Sequence, residues 1–319
     1  MNARRTLALA LGLSLLLASC GSTGGKDRKA KRAASDEKRV AVTDLPPKAR
    51  EVIDSFRAGG GEWEGMRERV RADPVLARFV VDNMFDQLVR SYSGAELARP
   101  DQVKGPFERA QDELVALGEH STPLLVEMLE AEFSDGVVAY LASDTLARIG
   151  PAAAPAIADK LRSRRPETRR RAIEALVRAA PPADEPLASG SWKGRRPLEV
   201  LGHLVARDED WVVRGTAAEG LGALAAGAAD KLPARKVLEG ALADVDPLVW
   251  SAAARGLARL GDLRAIPALA DGLARAADAG RLGEVRAIEK ALRNLTGGRG
   301  PASPSTAAWK AWYEANRGS

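Results

Sequence analysis

Few side chains in this chain could do covalent or metal chemistry. The 319 residues hold one cysteine, Cys20, and two histidines, His120 and His203. Cys20 closes an apolar leader, so no thiol remains for the rest of the chain, and Cys/His zinc sites and Cys–His nucleophilic catalysis are excluded. His120 is expected in a turn between two helices, solvated, and His203 on the apolar stripe of another helix, packed. No Gly-x-Ser-x-Gly elbow and no phosphate-cradling Walker loop occur. Gly220-Leu221-Gly222 lies in an Ala-rich helical stretch, where glycine suits close helix packing. Glu167, Asp208, Glu209 and Asp210 stand at helix starts, where capping and the helix dipole account for them. The reading is therefore no catalytic residue, no metal, no cofactor and no small-molecule substrate.

Binding chemistry is better represented. Residues 181–197 read PPADEPLASGSWKGRRP, too rich in Pro and Gly for a helix. Trp192 stands there beside Lys193, Arg195 and Arg196. Trp and Arg dominate interface hot spots, so these four are the candidate partner contacts. The alternative is that Trp192 folds back and merely covers a neighbouring ridge. Residues 160–171 read KLRSRRPETRRR, a dense basic run. A solvated belt is one reading of it, with cations set against the carbonyls of a helix end; an acidic protein or polysaccharide partner is a second, and phosphate contacts are a third. The chain as a whole is only mildly basic, 48 Lys and Arg against 43 Asp and Glu, and no nucleic-acid partner is expected.

These residues must be positioned by something periodic. The phrase GDLRAIPALADGL at 261–273 recurs as GPAAAPAIADKL at 150–161 and GEHSTPLLVEML at 118–129. A proline column, Pro123, Pro155, Pro197, Pro233, Pro267 and Pro304, has intervals of about 32, 42, 36, 34 and 37 residues. Proline is well suited to the first turn of a helix. One helix earlier runs a leucine column: Leu114, Leu146, Leu176, Leu221, Leu257 and Leu292. Two columns in register predict a two-helix unit repeated about six times, with pairs beginning near Pro106, Val137, Glu167, Trp211, Pro247 and Glu284. The longest proline interval holds residues 181–197, and insertions in repeat proteins map to loops on one edge. Trp309, Trp312 and Tyr313 share a helix face and are expected to plug the end of the core, an aromatic ligand platform being the other reading.

The unit resembles the HEAT repeat in its short bacterial form. DEDWVVRGTAAEGLGAL at 208–224 carries the acidic start, the Val-Arg and the Ala-rich helix. DVDPLVWSAAARGLARLGDLRAIPALADGL at 244–273 matches over a whole repeat, except that Trp250 stands where Arg is expected. The resemblance covers about 105–316 and implies an all-α HEAT-like solenoid acting as a non-catalytic scaffold or adaptor for a protein or peptide partner. It implies that Arg169 and Arg214 contact neighbouring repeats. It also places the 160–171 run at an inter-repeat turn, on the edge opposite the 181–197 loop, so that the two form separate patches. A second class is an accessory, lyase-like or chaperone protein, since phycobilin lyases use related repeats.

The first twenty residues combine Arg4 and Arg5, an apolar run from Leu7 to Leu17, and Leu17-Ala18-Ser19-Cys20. Their layout is that of a secretory signal, and the run is too short to span a bilayer. The last four residues resemble a bacterial lipobox. That implies cleavage after residue 19, acylation of Cys20 and attachment to the cell envelope. Gly21, where Asp is absent, leans towards the outer membrane or periplasmic side over the inner membrane. Ordinary signal cleavage with Cys20 incidental is the alternative. The expected organisation is a signal peptide at 1–19, a lipidated flexible tether at 20–43, a helical cap at 44–104 and repeats at 105–319.

Overall fold

Apolar positions recurring every three to four residues give helices, and no strand occurs among the described residues. The computed structural model describes residues 46–58, 62–92, 100–130, 136–301 and 305–317. The leader, Cys20, the tether and Pro304 lie outside them. Two units are distinguished, Met1–Arg50 and Glu51–Ser319; the second holds the solenoid.

Three helices come first: α1 (Pro47–Ala58), α2 (Glu62–Ala72) and α3 (Pro74–Tyr92). Six pairs follow: α4 (Pro100–Ala116) with α5 (Gly118–Met128), α6 (Gly136–Ile149) with α7 (Ala154–Asp159), and α8 (Pro166–Ala179) with α9 (Pro197–Arg207). Then come α10 (Trp211–Ala225) with α11 (Leu232–Ala241), α12 (Pro247–Leu260) with α13 (Ile266–Asp278), and α14 (Leu282–Leu295) with α15 (Thr306–Asn316). Short 3-10 turns at Gly150–Ala153, Lys160–Arg162 and Leu263–Ala265 flank α7 and precede α13. The architecture is the expected α-solenoid. Its first pair begins at Pro100, six residues before the expected Pro106.

The leucine column is the core. Leu114, Leu146, Leu176, Leu221, Leu257 and Leu292 are all essentially fully buried, one per repeat, each stacking against the next layer. Pro155, Pro233 and Pro267 sit in the first turns of α7, α11 and α13, and Pro197 opens α9. Pro123 differs, because it lies inside α5. That helix starts earlier, at Gly118, so the proline falls in its second turn.

Two devices couple adjacent repeats. Between α10 and α12 the backbones themselves meet. A Cβ on Gly222 would lie 2.1 Å from the Gly256 carbonyl oxygen, and one on Gly256 would lie 2.5 Å from the Ala218 oxygen. Gly222 therefore serves helix packing, as its Ala-rich setting predicts. The second device is a ladder of ion pairs. Arg169 donates to both Asp208 oxygens at 2.8 and 2.7 Å, and Arg214 to both Asp244 oxygens at 2.8 Å. Each arginine thus reaches the acid that precedes the next repeat. At the following rung Trp250 donates from Nε1 to the Asp244 carbonyl at 2.5 Å, and Arg281 stacks over its ring at 4.7 Å. The cation has moved to the later repeat and the aromatic ring stands in the arginine's place.

The ends are closed differently. On the N-terminal side α3 packs against α4 and α5, and Arg67 of α2 holds Glu113 of α4 through two bonds of 2.9 and 2.7 Å. On the C-terminal side Trp309 is buried, Thr306 Oγ1 donates to the Ala270 carbonyl at 3.1 Å, and Lys310 pairs with Asp271 at 2.6 Å. Trp309 fills the end of the core as expected. Trp312 meets it edge-on at 6.4 Å between ring centres, and Trp312 and Tyr313 are only half-buried.

Candidate functional site

The connection between α8 and α9 forms a closed, pinned loop. Leu187 is buried and donates its N–H to the Arg195 carbonyl, while Gly194 N–H returns to the Leu187 carbonyl, both at 2.9 Å. Asp159, at the end of α7, accepts from the Ser191 N–H at 2.6 Å and from its hydroxyl at 2.5 Å. Gly190 takes φ +78° at that contact, and a Cβ there would meet Asp159 Oδ1 at 2.6 Å; only glycine permits the approach. Trp192 is thereby held half-buried, its ring edge-on to His203 of α9 at 5.8 Å between centres.

Most of the basic run at 160–171 is committed internally. Lys160 pairs with Glu130 at 2.8 Å, and Arg165 and Arg171 donate to the carbonyls of Glu130 and Leu129, just past the end of α5, at 2.8 and 3.1 Å. Arg170 pairs with Glu167 and Glu174 at 2.6 and 2.5 Å, and Arg169 belongs to the ladder. Arg165 and Arg171 satisfy the open carbonyls of a neighbouring helix, and because Arg169 and Arg171 are buried the run is packed structure rather than the solvated belt expected.

Arg162 and Arg164 are the exceptions, and Arg162 corrects the separate-patch expectation. A groove of about 940 Å³ lies along the second-helix face of the third and fourth pairs, and Arg162 and Trp192 both line it. The run and the loop share one wall because Asp159 ties them together. Leu198 and Val237 contribute apolar surface, and Arg195, His203 and Arg207 line it too. Of the four candidate contacts, Trp192 and Arg195 line the groove with nothing else claiming their side chains. Arg196 lines it but is held by Glu199 at 2.7 Å; this hydrogen bond keeps the Glu199 carboxyl below its ordinary pKa. Lys193 is exposed and does not line it.

His203 is not packed in the core but exposed on the groove side of α9. Glu199, His203 and Arg207 lie four residues apart, a spacing that puts them on one helix face; that signal was present in the sequence. His120 also departs from expectation. It sits in the first turn of α5, 16% exposed, with Nε2 3.5 Å from Glu119. Among the described residues no cluster of three or more His, Cys, Asp or Glu is arranged for a metal ion, and no helix is long and apolar enough to cross a membrane.

Paired helices stacked through a leucine core, coupled by an arginine ladder and carrying a groove on the second-helix face, define an α-solenoid repeat protein. The family of HEAT repeats matches residues 122–222 and 198–292. The chain therefore belongs to the HEAT-repeat proteins. An engineered protein of known crystal structure is 20% identical, with a TM-score of 0.41, covering 73% of this chain and 97% of its own. No curated protein matches.

Proposed function

We propose that this protein is a non-catalytic scaffold or adaptor of the bacterial cell envelope, anchored by acyl chains on Cys20 and binding a partner protein through the groove of its third and fourth repeats. HEAT repeats generally mediate protein–protein binding, and a groove is the form that such binding takes on stacked helix pairs. The observation that carries the reading is the pinned 181–197 loop. It presents Trp192 at the wall of a large concave surface through two backbone bonds and two contacts with Asp159, and preorganised aromatic residues are the type that anchors interfaces. The leader and lipobox support the envelope address.

The test places a photoreactive residue at His203 in the groove and, separately, at Leu248 on the exposed start of α12, in the full-length membrane-bound chain. A discrete cross-linked protein from position 203 and none from 248 is the expected outcome. Cross-links from neither position, with the protein folded and membrane-bound, would refute the scaffold reading.

A further inference from the structure

We infer that the groove takes an extended acidic segment of its partner, with carboxylates alternating with apolar side chains; this rests on the scaffold reading above. Arg162, Arg195 and Arg207 line the groove, are exposed, and have no hydrogen bond or ion pair among the described residues. Every other groove arginine is spent: Arg169 on Asp208 and Arg196 on Glu199. The groove's carboxylates are each engaged within the chain, though Asp184, Glu209 and Asp230 stay exposed and charged. Asp184 accepts from the Ala229 N–H, Asp230 from the Leu232 N–H, Glu209 lies 3.6 Å from Arg169, and Asp208 and Glu199 hold the arginines just named. What remains for a ligand is three guanidiniums from three different elements, one half-buried indole and an apolar floor.

That remainder selects the class of ligand. Guanidinium presents a fork that matches a carboxylate bidentately, and apolar side chains between carboxylates would meet Leu198, Val237 and the Trp192 ring. A continuous polyanion fits worse, because its unbroken charge would run past Asp184, Glu209 and Asp230 on the same walls, where like charges repel. A volume of about 940 Å³ accommodates several residues of an extended chain.

The experiment uses the full chain in detergent and a fluorescein-labelled eight-residue peptide alternating Glu and Leu, read by fluorescence polarisation at 50 mM salt. Binding is expected, with a fall of at least about tenfold in R162Q/R195Q/R207Q and a several-fold fall in Trp192→Ala. The melting temperature of the triple variant should be unchanged, since none of the three side chains has an internal partner. A Lys/Leu peptide should not bind. Absence of Glu/Leu binding, or equal affinity in the triple variant, overturns the inference; so does tighter, arginine-dependent binding of oligothymidylate or heparin, which would make the groove a polyanion site. A groove cross-link at His203 that persists unchanged in the triple variant sinks the acidic-segment assignment alone. Loss of every cross-link from the wild type sinks the scaffold reading itself.

Discussion

Replacing Gly222 by Ala adds one methyl group to the tightest contact between repeats. The new Cβ would stand 2.1 Å from the Gly256 oxygen, 2.5 Å from its carbonyl carbon and 2.6 Å from its Cα. All three atoms are backbone, so no side chain can swing away. Restoring ordinary van der Waals distance requires α10 and α12 to separate by roughly 1 Å along their whole contact, which places the cost at the upper end of the ~1–3 kcal/mol typical of overpacking. Alanine returns about 0.8–1.0 kcal/mol through its helix propensity. The net expectation is a loss of about 2 kcal/mol, or roughly 4–8 °C in melting temperature for a domain of this size. Because repeats couple mainly to their neighbours, the melt should also broaden as the halves on either side uncouple. Gly65→Ala in α2 is the control: nothing lies within 4 Å of its Cβ, so it should gain about 0.5–1 kcal/mol. Calorimetry on both variants decides the matter. A Gly222→Ala protein that melts at or above the wild type would refute the claim that backbone contact sets the spacing of the fourth and fifth repeats.

Other expectations follow from the ladder, the ends and the leader. Arg214→Ala leaves Asp244 without its bidentate partner and should cost about 2–3 kcal/mol by chemical denaturation, whereas Lys193→Ala should stay within about 0.5 kcal/mol. Burial pushes the Asp244 and Asp262 carboxyls up, but their arginine and backbone N–H hydrogen bonds hold both below the ordinary value. Their contribution is therefore complete above the unfolded carboxylate pKa of about 3.9 and is lost as the pH falls through the lower folded value; Asp244→Asn should flatten the dependence of melting temperature on pH in that acid range. Trp309→Ala should cost about 3–5 kcal/mol and expose the end of the core, seen as aggregation in light scattering. Cys20→Ser should release the chain from membranes, and the intact mass of the wild type should begin at Cys20 with acyl chains added; retention of the variant on membranes would contradict the anchor.

The repeat architecture was legible in the sequence because it is written in residue types that do one job at every copy. Leu146 or Leu257 must be large, apolar and in register, and Pro155 or Pro267 must open a helix, so the columns survive even where the rest of the repeat drifts. Pro123 shows the limit of that logic: its helix already begins at Gly118, so the proline marks a second turn and not the start. The groove was only half legible. Trp192 and Arg195 stood out as an aromatic and a cation in a loop that needs neither. Arg162 and Arg207 did not, because nothing in their own neighbourhoods separates them from cations spent on pairing. That separation is made by partners 30 to 39 residues away, such as Glu130 for Lys160 and Asp208 for Arg169.

Arg207 and Asp208 show how the fold sorts its charges. They are adjacent in sequence, at the last residue of α9 and the one after it. Asp208 turns inward, nearly buried, where Arg169 of the preceding first helix takes both its oxygens. Arg207 lines the same groove, exposed, with no hydrogen bond or ion pair of its own side chain among the described residues. Its own nearest carboxylate has been claimed by a more distant arginine with better geometry. The ladder thus does two things at once. It ties each repeat to the next, and by holding Asp208 it leaves the adjacent Arg207 without a partner among the described residues. Where the ladder changes character, at Trp250 and Arg281, the cation is stacked on a ring instead, and neither residue lines the groove. The binding surface falls where three arginine side chains are left, among the described residues, without a hydrogen bond or ion pair of their own.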